Sequence, residues 1–187
     1  ERVESLGRCL IEKTAISSIT IPKNVKYSTN VSSSYGVLVN VNTLKTVTFE
    51  EGMEAIPSCI MASGSYTSYI DKIILPSQLK KIGSSAFYNC GKITQMEVPK
   101  TITEIGGSAF ENCTGLKSFR MNYNGTVEYK AEIGNAAFRG CTSLTDVSLS
   151  ENVTSIGSMA FSGCTSLETL NLPERVESLG RCLIEKT

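Results

Sequence analysis

The stretch IGSSAFYNCGKITQMEVP, residues 82–99, decides the fold of this chain, because its pattern recurs three more times. The other copies begin at Ile105, Ile133 and Ile156 and share I-G-x-x-A-F-x-x-C-x-x-L-x-x-φ-x-φ, where φ is an apolar residue. Two residue ladders repeat at intervals of 23, 28 and 23 residues: Phe87, Phe110, Phe138 and Phe161, and Cys90, Cys113, Cys141 and Cys164. A fixed period in the twenties indicates a solenoid.

Composition narrows the classes of function. The 187 residues include 18 basic and 18 acidic side chains and no histidine. No basic cluster suggests nucleic acid, and no apolar run is long enough for membrane insertion of this segment. Without histidine there is no Ser-His-Asp triad, Cys-His dyad or His-bearing metal site. The carboxylates Glu50, Glu51 and Glu54 lie in a turn with no apolar pocket implied, so we expect no enzyme activity, no metal and no cofactor.

Each repeat contains a short L-x-x-L-x-L-like core. The last two apolar residues of each core are two positions apart, which places them on one face of a short strand. Prolines such as Pro76 and Pro99 directly follow the core and would end the strand ladder. Seven cores are found: Ile16/Ile19/Ile21, Leu44/Val47/Phe49, Ile70/Ile73/Leu75, Ile93/Met96/Val98, Leu116/Phe119/Met121, Leu144/Val147/Leu149 and Leu167/Leu170/Leu172.

The Ile-Gly step predicts a second short extended segment or bend in each repeat. Its glycines suit positive φ or close backbone approach: Gly83, Gly106, Gly134 and Gly157. The following Ser-x-Ala-Phe segment fits one turn of 3₁₀ or α-helix. We therefore predict an α/β repeat, a leucine-rich-repeat solenoid with a short-stranded parallel sheet, mostly β and loop with single helical turns.

The seven cysteines allow two interpretations. The four ladder cysteines keep fixed repeat positions, which favours small buried side chains stacked from turn to turn. Disulfide bonds or a reactive thiol are the alternative. Cys9, Cys59 and Cys182 form a second class, located just before the Ala-Phe step.

Residues 1–14 are repeated without change as residues 174–187, an offset of 173 residues. We interpret residues 1–187 as one solenoid segment of about seven repeats from a longer tandem array; an artificial duplication is the alternative. Solenoids need polar capping repeats for solubility, and neither terminal sequence looks like one. We therefore expect end-to-end self-association at high concentration.

The motif Ile-Gly-x-x-Ala-Phe-x-x-Cys-Thr-Ser-Leu, seen at 133–144 and 156–167, resembles the BspA-like leucine-rich repeats. The resemblance is strong over 70–187 and weaker over 1–69. It implies a surface or secreted protein of the kind made by host-associated bacteria and some protozoa. It also implies adhesion to a protein ligand, such as a host matrix or cell-surface protein.

Two surfaces are candidates for recognition. The candidate strip comprises the variable positions beside each predicted strand core: Thr20, Lys45, Thr48, Asp71, Lys72, Ile74, Gln95, Glu97, Lys117, Arg120, Asp146, Ser148, Glu168 and Asn171. A merely solvated sheet face is the alternative. The candidate loops carry six tyrosines in insertions that break the period: Tyr27, Tyr35, Tyr66, Tyr69, Tyr123 and Tyr129. Tyrosine is favoured at binding hot spots, although these rings could instead cover the insertions' own small cores.

The sequence therefore favours an adhesion-type protein-binding module of a larger protein. A structural spacer or stalk segment without a ligand of its own is the alternative, and an enzyme is the least favoured reading.

Overall fold

A computed structural model describes residues 5–6, 15–24, 26–27, 36–38, 42–62, 68–122 and 129–185, with 5–6 and 26–27 described by backbone alone. These residues form short strands and turns. The strands are β1 (Ser5–Leu6), β2 (Ser18–Ile21), β3 (Lys26–Tyr27), β4 (Thr46–Phe49), β5 (Ala55–Ile56), β6 (Lys72–Ile74), β7 (Lys81–Ile82), β8 (Gln95–Val98), β9 (Glu104–Ile105), β10 (Ser118–Met121), β11 (Ala131–Ile133), β12 (Asp146–Ser148), β13 (Val153–Ile156) and β14 (Ser178–Leu179).

All strand pairs are parallel, as a solenoid requires. The predicted repeat cores build two three-stranded sheets, β2-β4-β6 and β8-β10-β12, which we call the split sheet. The Ile-Gly steps, together with Ile56-Pro57 and Leu179-Gly180 at the equivalent positions, build one six-stranded sheet, β5-β7-β9-β11-β13-β14, which we call the continuous sheet. The predicted solenoid is confirmed, and the second extended segment is a strand. No described strand contains Leu170 or Leu172, so the seventh core adds none.

The prediction of single helical turns at Ser-x-Ala-Phe is wrong, because the described residues contain no helix. Ser85 has a φ of 54°, in the left-handed region, which interrupts a right-handed turn. The amides of Ser85 and Phe87 donate to the carbonyls of Gly107 and Ala109 in the next coil, at 2.9 and 2.8 Å. The amide of Ala86 instead bonds within its own coil. Alternate residues thus join neighbouring coils, and we call this arrangement the turn ladder.

The corner glycines are required by close approach and not by positive φ. A Cβ on Gly106 would lie 2.6 Å from the backbone nitrogen of Ser84, and one on Gly134 would lie 2.5 Å from that of Gly107. Real Cβ atoms essentially never come so close to backbone. The coils therefore touch directly at the start of each turn.

The two ladders fill the interior, where all eight side chains are buried. Phe87, Phe110, Phe138 and Phe161 stack in sequence with ring centres 5.1, 5.3 and 5.1 Å apart. The thiols of Cys113, Cys141 and Cys164 each donate to the carbonyl of a ladder phenylalanine in the preceding coil, at 3.1 Å. Cys90 does the same to Met61 at 3.5 Å. The described cysteines are free thiols, so this ladder is packing with weak hydrogen bonds.

Candidate binding surface

The split sheet places the candidate strip on its outer face. Thr20, Thr48 and Ile74 are in register on β2, β4 and β6, and Glu97, Arg120 and Ser148 are in register on β8, β10 and β12. All are exposed except half-buried Thr48. Neighbouring positions such as Phe49 and Val98 are buried, so side chains alternate between core and solvent, as on any strand with one covered face. The strip is therefore a surface held in register by a packed core.

The other strip residues lie beside these two rows. Gln95 and Asp146 flank Ser118 in register, and the Arg120 Nη2 atom donates to Asp146 Oδ2 at 2.6 Å. The remaining members are exposed: Lys45, Asp71, Lys72, Lys117, Glu168 and Asn171. Of these, only Lys72 lies in a described strand. Within the described chain no strand pairing joins β6 to β8, so the strip comprises two three-stranded patches.

A cleft opens beside the ends of β6, β8 and β10. It encloses about 440 Å³ and is lined by Leu75, Pro76, Ser77, Glu97, Pro99, Lys100 and Asn122. Glu97 is the one strip residue in that lining. The other lining residues were missed as site candidates. The signal that could have found them is the proline placed directly after two predicted cores, at Pro76 and Pro99, since it ends both strands at the same level.

The structure describes two of the six tyrosine side chains. Tyr69 is exposed, and the Lys45 ammonium lies 5.5 Å from its ring centre, within reach of a cation–π interaction. Lys45 of the candidate strip and Tyr69 of the candidate loops are therefore neighbours. Tyr129 is also exposed, next to Lys130, whose ammonium bonds to Glu177 at 3.2 Å. Only the backbone of Tyr27 is described, in β3, and three further tyrosines lie outside the described residues: Tyr35, Tyr66 and Tyr123.

The described ladder thiols are poorly suited to act as nucleophiles. Burial raises the pKa of Cys90 to about 12, and burial likewise raises the pKa of Cys164 to about 11. The pKa values of Cys113 and Cys141 are also raised, mainly by burial. The thiolate is the nucleophilic form, and these environments disfavour it. In the described ranges no three His, Cys, Asp or Glu side chains group to hold a metal, and no helix is long and apolar enough to cross a membrane.

Comparison with known proteins agrees with this geometry. A family model described as "BspA type Leucine rich repeat region" matches residues 32–130 and 131–187 in six copies. A search of curated proteins gave no match.

Solved structures extend the comparison. The leucine-rich repeat protein TpLRR of T. pallidum is similar, with 22% identity and a TM-score of 0.66, over 87% of this chain and 71% of that one. One from Bacteroides ovatus ATCC 8483 has 21% identity and a TM-score of 0.50, over 97% of this chain and 61% of that one. At these identities the likeness concerns the fold alone.

Proposed function

This chain belongs to the BspA-type leucine-rich repeat family, and from that premise we propose that it is an adhesion-type protein-binding module of a larger cell-surface or secreted protein. Proteins of this repeat family generally serve as protein-interaction or surface modules. The proposed ligand is a host matrix or cell-surface protein. We propose no enzymatic activity, in keeping with a class of non-enzymatic repeat proteins.

The observation that supports the proposal best is the combination of apolar and charged groups around the cleft. The Ile74 side chain is 42% exposed, although it is a large apolar residue on a sheet. Its neighbour Leu75 and the strip residue Glu97 both line the cleft. Arg120 lies next to Glu97 across the paired strands. Protein interfaces commonly combine an apolar anchor in a pocket with a charged rim that fixes orientation.

The scaffold favours binding without rearrangement. Strands β8 and β10 are held by a parallel ladder from Gln95 to Val98 and from Ser118 to Met121. Beneath them, Met96 and Phe119 are buried in the core. A ligand that contacts the outer face would therefore meet side chains on fixed backbone, and little ordering entropy would be lost on binding.

The test is binding of the chain to purified collagen, laminin and fibrinogen, measured by biolayer interferometry. We expect at least one of these proteins to bind, and the triple variant Ile74→Asp, Glu97→Lys, Arg120→Glu to weaken that binding at least ten-fold. The matched control reverses the exposed ion pair of the continuous sheet, Lys81→Glu with Glu104→Lys, and should bind like the unmodified chain.

Binding that survives the triple variant would remove the strip from the proposal. Binding to none of the three proteins would count against a matrix ligand and favour the second candidate, a spacer segment. One observation supports a spacer: the identity of residues 1–14 and 174–187 is what tandem stalk units would produce.

A further inference from the structure

A second cleft lies on the turn ladder, outside the split sheet, and we call it the turn cleft. It encloses about 600 Å³, and residues of four successive coils line it. This volume is within the range of roughly 300–1,000 Å³ that is typical of small-molecule sites. None of the lining residues belongs to the candidate strip or the candidate loops. The lining includes Tyr88, Glu111, Asn112, Arg139, Gly140 and Gly163.

The turn cleft opens where a repeated asparagine becomes glycine. The second left-handed position of successive turns has φ of 60° at Asn89, 59° at Asn112, 71° at Gly140 and 73° at Gly163. The amides of Asn112 and Gly140 donate to carbonyls of the next coil at 2.7 and 2.8 Å, so the backbone is alike with either residue. The two glycines therefore leave out two side chains from a regular row, and both of them line the cleft.

The two glycines differ in the space above them. A Cβ on Gly140 would overlap with the Asn112 Oδ1 atom, so this glycine lets the Asn112 amide lie against the backbone of the next coil. A Cβ on Gly163 would approach the Gly140 nitrogen no closer than 3.4 Å, which is an ordinary contact. The space at Gly163 is therefore open to a ligand, and a larger side chain would fill it.

One acid and one base face each other in the lining. The Arg139 Nη1 atom donates to Glu111 Oε1 at 3.4 Å. The Glu111 side chain is only 13% exposed, whereas that of Arg139 is 54% exposed. A carboxylate has about four lone-pair positions, and the described residues give Glu111 this one long bond. Glu111 therefore keeps acceptor capacity and Arg139 keeps donors, beside the exposed hydroxyl-bearing residues Thr142 and Thr165.

This lining is poorly suited to an anion or a peptide. The charges of Glu111 and Arg139 cancel each other, and every backbone amide of the lining residues already donates within the protein, so they form no anion-binding nest. A peptide would need apolar anchors or a free strand edge. The lining consists of turn residues without a leucine, isoleucine, valine or methionine side chain.

A hydroxyl-rich ligand fits the same groups. A sugar hydroxyl both donates and accepts, which suits a carboxylate acceptor next to guanidinium and amide donors. The negative face of an aromatic ring attracts the C–H groups on the flat side of a pyranose. Half-buried Tyr88 supplies such a ring in the lining.

We propose that the turn cleft binds a neutral saccharide of one or two rings. Glu111 accepts hydrogen bonds from its hydroxyl groups, Arg139 and Asn112 donate to them, and the Tyr88 ring packs against its C–H groups. The site is separate from the proposed protein-binding strip, so the chain would carry two recognition surfaces that mutation can separate.

The test is NMR titration of the isotope-labelled chain with lactose, maltose and N,N′-diacetylchitobiose, each to about 20 mM. We expect at least one of these disaccharides to shift the amide signals of Asn112, Gly140 and Gly163 with a Kd of about 1 mM. Glycerol and inorganic phosphate at the same concentrations should shift none of them.

The sharpest variant is Gly163→Asn, which restores the side chain found at this position in earlier coils. Asparagine tolerates the left-handed conformation, so the variant should fold and weaken binding roughly ten-fold or more. The matched control is Gly52→Asn, the same exchange at a glycine with a φ of 84° that lies outside the turn cleft. It should bind like the unmodified chain, and circular dichroism melting reports whether both variants fold.

Arg139→Ala keeps the proposal testable if Gly163→Asn does not fold, because it shortens an exposed side chain; binding should weaken about ten-fold. The triple variant Ile74→Asp, Glu97→Lys, Arg120→Glu should keep its saccharide binding, so failure of the strip and failure of the turn cleft are distinguishable. Three results would overturn the proposal: no shift with any disaccharide, equal shifts with glycerol or phosphate, or binding that survives both Gly163→Asn and Arg139→Ala.

Discussion

The coil at residues 44–62 and the coils that follow it share a backbone but differ in what fills them. Cys59 has a φ of 57°, close to the 54° of Ser85, and its amide bonds to the next coil at 2.9 Å. Inside, Met61 takes the place of Phe87, and Phe49 from β4 meets the Phe87 ring edge-on at 6.5 Å. The later rings stack face to face. The difference teaches that hydrogen bonds between coils set the geometry, whereas the interior tolerates different shapes of similar volume.

The corner position shows the same contrast. Pro57 stands where Gly83 stands in the next coil. A Cβ on Gly83 would clash with the backbone of Pro57 and Ser58, so glycine is needed there. On the other side of the Pro57 coil, the described segment 36–38 bonds to Ile60 and Ala62. At the corner position, glycine is therefore needed where one regular turn rests on another.

The largest expected effect comes from breaking the ring stack. Phe138→Ala removes a ring that touches Phe110, Phe119 and Phe161, and should lower the free energy of unfolding by about 4 kcal/mol. Met61→Ala, at the equivalent place in the earlier coil, should cost about 3 kcal/mol, because it removes less volume. Urea unfolding followed by circular dichroism measures both. A larger loss at Met61 would mean that the stack is not the stronger part of the core.

The next largest loss of stability is expected from substitution of the corner glycines. Gly106→Ala should cost about 3 kcal/mol, because its Cβ would meet the Ser84 backbone and the two coils would have to separate. Its neighbour provides the control, since a Cβ on Gly107 would lie 3.3 Å from the Asn135 carbonyl, a contact that a small shift relieves. Gly107→Ala should cost less than about 1 kcal/mol, because the reduced conformational entropy of the unfolded chain offsets most of the cost of that contact. Equal losses in urea unfolding would show that close approach of the coils does not explain the glycine at Gly106.

The thiol ladder predicts loss of stability in alkali. The Cys90 pKa is raised by burial from 9.0 to about 12, so its contribution is fully present below pH 9 and is lost as the pH rises towards 12. Between pH 9 and 10.5 the unfolded state alone releases this proton, which should lower the free energy of unfolding by about 2 kcal/mol. Cys90→Ala should remove that part of the pH dependence.

The control for this measurement is the exposed Cys182. Cys182→Ala should leave the slope of unfolding free energy against pH unchanged, because this side chain is exposed and its removal leaves the buried thiol ladder intact. Identical slopes for Cys90→Ala and the unmodified chain would contradict a buried, neutral thiol.

The period of the sequence was sufficient to predict the coils, the ladders and the strand faces, because burial repeats with them. The left-handed residue before Ala-Phe could not be predicted. It is occupied by unlike side chains, Ser85, Ser108, Ala136 and Met159, with no glycine or asparagine among them. Bonds to the next coil impose that conformation. A second left-handed position did carry a signal, since it reads Asn89, Asn112, Gly140 and Gly163.

The candidate site, too, could be predicted only in part from the sequence. Alternation along each strand predicts which residues face outward, and Glu97 and Arg120 do so. The gap between β6 and β8, and the cleft beside the ends of these strands, depend on how successive coils are spaced. That spacing is set by packing over three coils and cannot be predicted from the sequence of any one repeat.

The smallest expected effect tests whether coil contacts hold the left-handed residue under strain. Ala136 has a φ of 55°, and its amide donates to the Ser158 carbonyl at 2.8 Å. A non-glycine residue in this region costs about 1 kcal/mol, so Ala136→Gly should raise the free energy of unfolding by up to about 1 kcal/mol. The adjacent Ala137 is buried and lacks positive φ, so Ala137→Gly should instead lower it by about 1 kcal/mol. Opposite signs in urea unfolding would show that the turn ladder dictates backbone conformation against local preference, whereas two losses would show that Ala136 adopts it without strain.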